Sequence, residues 1–355
     1  MIEQTSEPRP PEVASPPQLR RSALRAYAPI LVTGVVLALV PLRYGDSRSM
    51  MGVVIDGLLF TSYTIAFNVI FGSTGQLFLC VGALAGIGGY TSAILSDRYG
   101  LSLLLAIAVA GVAASGVGGL LSWVAVRRSL DVIFAGVVTL AFSLGFDNLL
   151  LGRRDLTGGE TGLVVDTGSD TSLGELVPPY YVFLALVLVY LVVYRVLQRS
   201  HIGWAWRALR DDELAAELAG VNVTRYRVFA GMLGSAMLGV AGALFAHTEG
   251  FISPSTYAFG NVDVRVVVML VLGGIGTLLG PVVGAAAFTV LDEWLRSFSE
   301  FRLVLYGTAI VLLFLGFRRG VVPAVSSLVE RWRRRSVGRG VTASSGGADE
   351  DGIAE

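Results

Sequence analysis

The stretch His201-Ile-Gly-Trp-Ala-Trp-Arg-Ala-Leu-Arg-Asp-Asp-Glu-Leu-Ala-Ala-Glu-Leu-Ala-Gly-Val-Asn-Val-Thr-Arg-Tyr-Arg227 is a polar insert in an otherwise oily chain. Apolar runs flank it, at about 179–197 before and 226–246 after. Each approaches the roughly 20 residues that a helix needs to cross about 30 Å of hydrocarbon. Within the insert, Leu214 and Leu218 are four apart and Val221 is three further on, a narrow apolar stripe at helical spacing. Arg207 and Asp211 stand at i,i+4, and Arg210 and Glu213 at i,i+3, so a single helix would pair its own charges. Gly220 suits a helix end, and Asn222 or Thr224 can cap the helix that follows. Such a helix either lies on lipid headgroups or docks a partner, and its residues alone leave both readings open.

Working outward, apolar segments recur at about 26–42, 51–71, 77–95, 101–126, 132–151, 264–279, 281–294 and 302–317. Of the 355 residues, 54% are hydrophobic and only 15% charged, with a mean hydropathy of +0.68. Soluble domains carry about 25% charged residues. The fold class is therefore an all-α polytopic transmembrane bundle of about ten crossings, with eight or nine as alternatives, and an amphipathic cytoplasmic helix. Segment 281–294 is short, and glycines at 273, 274, 276, 280 and 284 suit backbone that is broken or re-entrant but buried in protein. The 44 glycines imply close helix packing, which in lipid depends on small residues. Residues 1–24 read as a disordered cytoplasmic tail, 25–322 as the membrane domain, and 323–355 as an Arg-rich and then disordered cytoplasmic tail. The first apolar run begins near Ala26, too deep and too long for a signal peptide.

All 27 basic residues are Arg. With ten crossings and a cytoplasmic N-terminus, 19 of them fall on inner loops and 8 on outer ones. This positive-inside bias puts both termini and the 201–227 insert in the cytoplasm, and the loops 152–178 and 247–262 outside. The absence of Lys rules out a GxxxxGK[ST] phosphate loop, a Schiff base or a lysine base. Cys80 is the one cysteine, and His201 and His247 are far apart, so no metal or cofactor site is expected. A formal net charge of zero gives no sign of nucleic-acid binding. No convergent acid–base set suggests an enzyme.

The segment from Arg207 to Val223 resembles the cytoplasmic coupling loop of ABC importer permeases of the branched-chain amino acid type. Ala215-Ala216-x-x-x-Gly220 matches the core of the EAA motif, with its Glu displaced to Glu213 or Glu217. The resemblance covers roughly residues 50–322. It includes Phe71-Gly-x-x-Gly-Gln76, Gly86-Ile-Gly-Gly-Tyr90, Thr139-Leu-Ala-Phe142 and Thr157-Gly-Gly-x-x-Gly-Leu163. It continues through Ala241-Gly-Ala-Leu-Phe-Ala246, Gly250-Phe-Ile-Ser-Pro254 and Leu272-Gly-Gly-Ile-Gly-x-x-x-Gly-Pro281. Single pieces are weak signals; their shared order and spacing is a strong one. One departure stands out: Phe78-Leu-Cys-Val81 replaces the family's more polar run after the GxxGQ segment.

The resemblance implies a pathway half, paired with a homologous permease in the inner membrane of a bacterium. Two ATP-binding subunits would dock on the cytoplasmic side, and an extracytoplasmic binding protein would deliver substrate. Coupling to the ATPase would fall on Arg207, Arg210, Asp211, Glu213, Ala215, Ala216, Glu217 and Gly220. Pathway candidates are Gln76, Gly82, Gly86, Gly88, Tyr90, Thr139, Thr157, Gly158 and Gly159. The glycines at 82, 86, 88 and 89 fit close helix packing better than substrate contact. Arg265 could meet a substrate carboxylate or pair with Asp263. A permease for urea, short amides or another small metabolite is the rival of the same class. An ion-coupled transporter is the rival of another class, and it would need a central carboxylate that the apolar segments do not display.

Overall fold

The computed structural model describes residues 19–44, 47–165 and 177–296, with Thr308 and Val322. The tenth expected segment, 302–317, lies outside the described residues apart from Thr308. Thirteen α-helices are described: α1 (Leu19–Ala38), α2 (Val40–Tyr44), α3 (Arg48–Phe67), α4 (Val81–Tyr99), α5 (Leu103–Arg127), α6 (Val132–Gly152) and α7 (Arg154–Thr157). Then come α8 (Val177–Arg199), α9 (His201–Asp211), α10 (Glu213–Leu218), α11 (Val223–Glu249), α12 (Asp263–Gly273) and α13 (Gly280–Arg296). A short antiparallel pair joins β1 (Leu163–Val164) to β2 (Phe251–Ile252). Helix α1 begins at Leu19, so the last six residues read from sequence as disordered tail are helical.

Among the described residues, five spans are long and apolar enough to cross a membrane: Arg48–Gly72, Leu103–Arg127, Val132–Gly152, Val177–Arg199 and Val223–Glu249. Burial ranks them. In the first and last, 72% and 61% of the apolar window is buried, against 22% for α6. Helices α3 and α11 are thus the centre of the bundle. The outer faces of α5 and α6 expose Leu104, Val112, Ile133 and Phe134, as a lipid-facing surface would.

Glycine sets how closely α11 approaches α4 and α5. A Cβ on Gly242 would overlap the Ala85 backbone, and one on Gly88 would overlap that of Gly239. At Gly118 a Cβ would fall on the Ser235 side chain, and at Gly234 on Ile70. Gly242 and Gly88 mark backbone-to-backbone contact, and Gly118 and Gly234 make room for a neighbouring side chain.

Two of the expected segments are broken. The run 77–95 becomes an extended stretch over residues 75–80 followed by α4. The region 264–294 becomes two half-helices, α12 and α13, joined through residues 274–279, with Gly274 at φ 117° and Gly276 at φ 76°. Helix α3 passes into a π-helical turn over Asn68–Gly72. Such turns leave the regular hydrogen-bond ladder and are frequent at functional sites.

Gly242→Val should lower the thermal midpoint of the detergent-solubilised protein, since about 1–3 kcal/mol of overpacking falls on backbone atoms. Gly116→Ala on α5 meets nothing within 4 Å and should leave the midpoint unchanged or slightly raised. Tryptophan fluorescence during a thermal ramp reads both.

Candidate functional site: broken helices and a two-part amphipathic insert

Inside the bundle, a break in a helix exposes amides that have no water to bind. At the start of α4 those amides meet a carboxylate. Asp263, with 0% exposure, accepts hydrogen bonds from Val81 N at 2.5 Å and Gly82 N at 3.2 Å. Asp263 is also the first residue of α12, so one carboxyl group serves two helix N-termini. This buried carboxylate was missed in the sequence, where Asp263 entered only as one of two partners open to Arg265. Arg265 instead lies over the Phe60 ring, 5.6 Å from its centroid. Both Asp263 oxygens are engaged by backbone, so this central carboxylate is a cap.

Several pathway candidates gather around the same break. Thr139, 1% exposed, accepts from Leu79 N at 2.9 Å and donates to Ala135 O at 2.9 Å. It thereby anchors the extended Phe78–Val81 stretch. Gln76 donates to Arg227 O at 3.1 Å and accepts from Ser122 Oγ at 2.6 Å, tying the lower end of that stretch to α5 and α11. Gly82, Gly86 and Gly89 pack against Tyr257, whose ring centroid lies 6.1 Å from that of Tyr90. Gly88 faces α11. Thr157, Gly158 and Gly159 lie apart, in a turn braced by Thr157 Oγ1 donating to Leu150 O at 2.6 Å. The β1–β2 pair fastens that turn to the segment after α11.

The 201–227 insert folds as two helices rather than one. Asp212 is extended, and its side chain accepts from Ala215 N at 3.0 Å, so it ends α9 and caps α10. Gly220 stands at φ 88°, and Gly220 N and Val221 N reach back to Glu217 O and Ala216 O. This is a Schellman closure, which needs the left-handed residue that glycine supplies. Asn222 caps α11 by accepting from Arg225 N at 2.9 Å.

The break at Asp212 redirects the charges expected to pair along one helix. Glu213 forms a bidentate ion pair with Arg227 of α11, at 3.0 and 2.8 Å. Arg207 stacks on Trp204 at 4.7 Å. Arg210 donates to Gly72 O at 2.7 Å. Trp206 is 2% exposed and donates to Tyr226 O at 2.9 Å. Beneath α10, Leu209, Ala216 and Val223 form a small apolar cluster. Above it, Leu214 and Leu218 are 67% and 82% exposed. The expected Leu214–Leu218 stripe therefore faces away from the bundle, while Ala216 faces it. Asp211, Ala215, Glu217 and Gly220 are also exposed. A cleft of about 480 Å³ separates α10 from the α5–α6 turn, lined by Asp131, Glu213, Leu214, Glu217 and Arg227 among others.

The fold and site define a multi-pass membrane protein with discontinuous helices and a braced amphipathic helix at one end, the construction of a transport permease. The chain belongs to the family described as branched-chain amino acid transport system / permease component, whose model matches residues 49–316. It is a permease subunit of an ABC importer. The high-affinity branched-chain amino acid transport system permease protein LivM of Escherichia coli strain K12 is 31% identical, over 82% of this chain and 74% of that one. LivM of Salmonella typhimurium strain LT2 is 30% identical, over 78% and 71%. The fructose import permease protein FrcC of Rhizobium meliloti is 26% identical, over 69% and 74%. No solved structure matches the chain.

Asp263→Ala leaves the Val81 and Gly82 amides buried without an acceptor, which costs about 1–3 kcal/mol for each. Asp263→Asn retains one oxygen and should cost distinctly less. Comparing the thermal midpoints of both variants with that of the parent protein checks the order: parent, Asn, Ala.

Proposed function

We propose that this chain forms half of the transmembrane pathway of a bacterial importer for branched-chain or related amino acids. In this reading it crosses the inner membrane ten times with both termini in the cytoplasm, and it pairs with a homologous permease. Two ATP-binding subunits dock at α10, and an extracytoplasmic binding protein delivers substrate to the outer loops around Thr157–Gly159 and β2. The chain supplies alternating access and no catalysis. Its two states differ in how well they fit the ATPases, and that difference drives the change.

The observation that carries the docking assignment is the arrangement of α10. It is fixed from below by the Ala216 cluster, the Glu213–Arg227 pair and the Gly220 closure, yet it presents Leu214 and Leu218 outward. A rigid helix with an exposed apolar edge is built to be covered. The LivM relatives favour branched-chain substrates. The apolar Phe78–Val81 stretch and the FrcC relative support a second reading, in which the same machinery carries another small metabolite.

Leu214→Asp with Leu218→Asp should abolish co-purification of the ATPase subunit with the permease while leaving the permease's own thermal midpoint within experimental error. Retention of the ATPase at the parent stoichiometry would refute docking at α10.

A further inference from the structure

We infer that Arg210 is a strut that carries movement of the docking helices into the two broken regions of the bundle. The inference rests on the proposed docking of an ATPase at α10. It adds a specific positioning residue and a route.

Arg210 sits in the last turn of α9, two residues before the chain extends at Asp212 and three before α10 begins. Its side chain turns towards the bundle. Nη1 donates to Gly72 O at 2.7 Å, at the end of the π-helical turn of α3. A carbonyl at such a break lacks a regular partner along the helix, and a guanidinium supplies a charge-assisted one. The same guanidinium packs on Gly276, where a Cβ would overlap Arg210 Nη1. So one side chain touches the break in α3 and the break between α12 and α13.

Those two breaks are bonded to each other. Asn68, buried in the π turn, accepts from Gly276 N at 2.8 Å and donates to Thr277 O at 3.0 Å. Gln198 at the end of α8 donates to Gly276 O at 3.3 Å. Gly72 admits no side chain either, because a Cβ there would meet the Asn68 carboxamide and Gly276 N. The result is a knot of α3, α8, α9 and the α12–α13 connection, held largely through backbone groups. Backbone carbonyls cannot swing away as side chains do, so displacement of α9 must move the knot or break the Arg210 contact. Among the described residues, α9 and α10 make no other hydrogen bond to α3, to its π turn or to residues 274–279. Lysine in place of Arg210 can reach one acceptor but lacks the planar fork that packs on Gly276.

The test uses the complete transporter, with both permeases, ATPases and binding protein, in proteoliposomes. Substrate uptake and ATP hydrolysis are measured in parallel for the parent, Arg210→Ala and Arg210→Lys. We expect Arg210→Ala to assemble and hydrolyse ATP while substrate moved per ATP falls at least tenfold, with partial recovery in Arg210→Lys. An unchanged ratio in Arg210→Ala overturns the strut. Loss of assembly in both variants also overturns it, because Arg210 would then serve docking. If the parent permease itself fails to retain an ATPase, the docking reading fails first, and the co-purification control reports that separately.

Discussion

The interaction on which the rest depends is the pair of hydrogen bonds from Val81 and Gly82 to Asp263. A continuous helix satisfies its own amides; a helix that starts inside the bundle does not. By placing a carboxylate at that start, the chain can begin α4 and α12 at one buried point. The irregular residues 75–80 and the Tyr257 turn are arranged around the two helix starts. Without the carboxylate, this region would carry unpaired amides in an apolar interior, where each is costly. The same logic recurs at smaller scale, with Thr139 serving Leu79 and Asn68 serving Gly276.

Close packing then fixes how these breaks sit against the central helix. Glycines on α4, α5 and α11 bring backbones into contact, so α11 has little freedom to slide past its neighbours. Its N-terminal start is held by Asn222, by the Glu213–Arg227 pair and by the Trp206 indole. Helices α9 and α10 are therefore joined to α11 on one side and to the broken helices on the other. That continuity gives displacement of α9 and α10 a direct route to the helix breaks when the contacts have two discrete arrangements.

Most of the architecture was legible in the sequence, because membrane helices announce themselves by length and apolarity. Nine of the expected segments correspond to described helices, and the glycines of 273–284 correctly signalled a broken pair. The break before α4 was not legible. Phe78-Leu-Cys-Val81 is as apolar as any helix, and only a residue 182 positions away, Asp263, makes its departure from helix affordable. The insert was legible as amphipathic, with Gly220 and Asn222 in the roles their chemistry suggests. Its division at Asp212 was not, since i,i+3 and i,i+4 spacing assumes one continuous helix. For the same reason Arg210 and Glu213 looked like partners for each other, whereas each reaches across to another element.

The central claim is that this chain provides a pathway driven by ATPases bound from the cytoplasmic side. The most direct measurement is uptake of radiolabelled leucine into proteoliposomes holding the reconstituted complex, with binding protein outside and ATP inside. Accumulation that requires internal ATP and persists when ion gradients are collapsed is the predicted result. Accumulation without ATP that disappears with the ion gradient would contradict it.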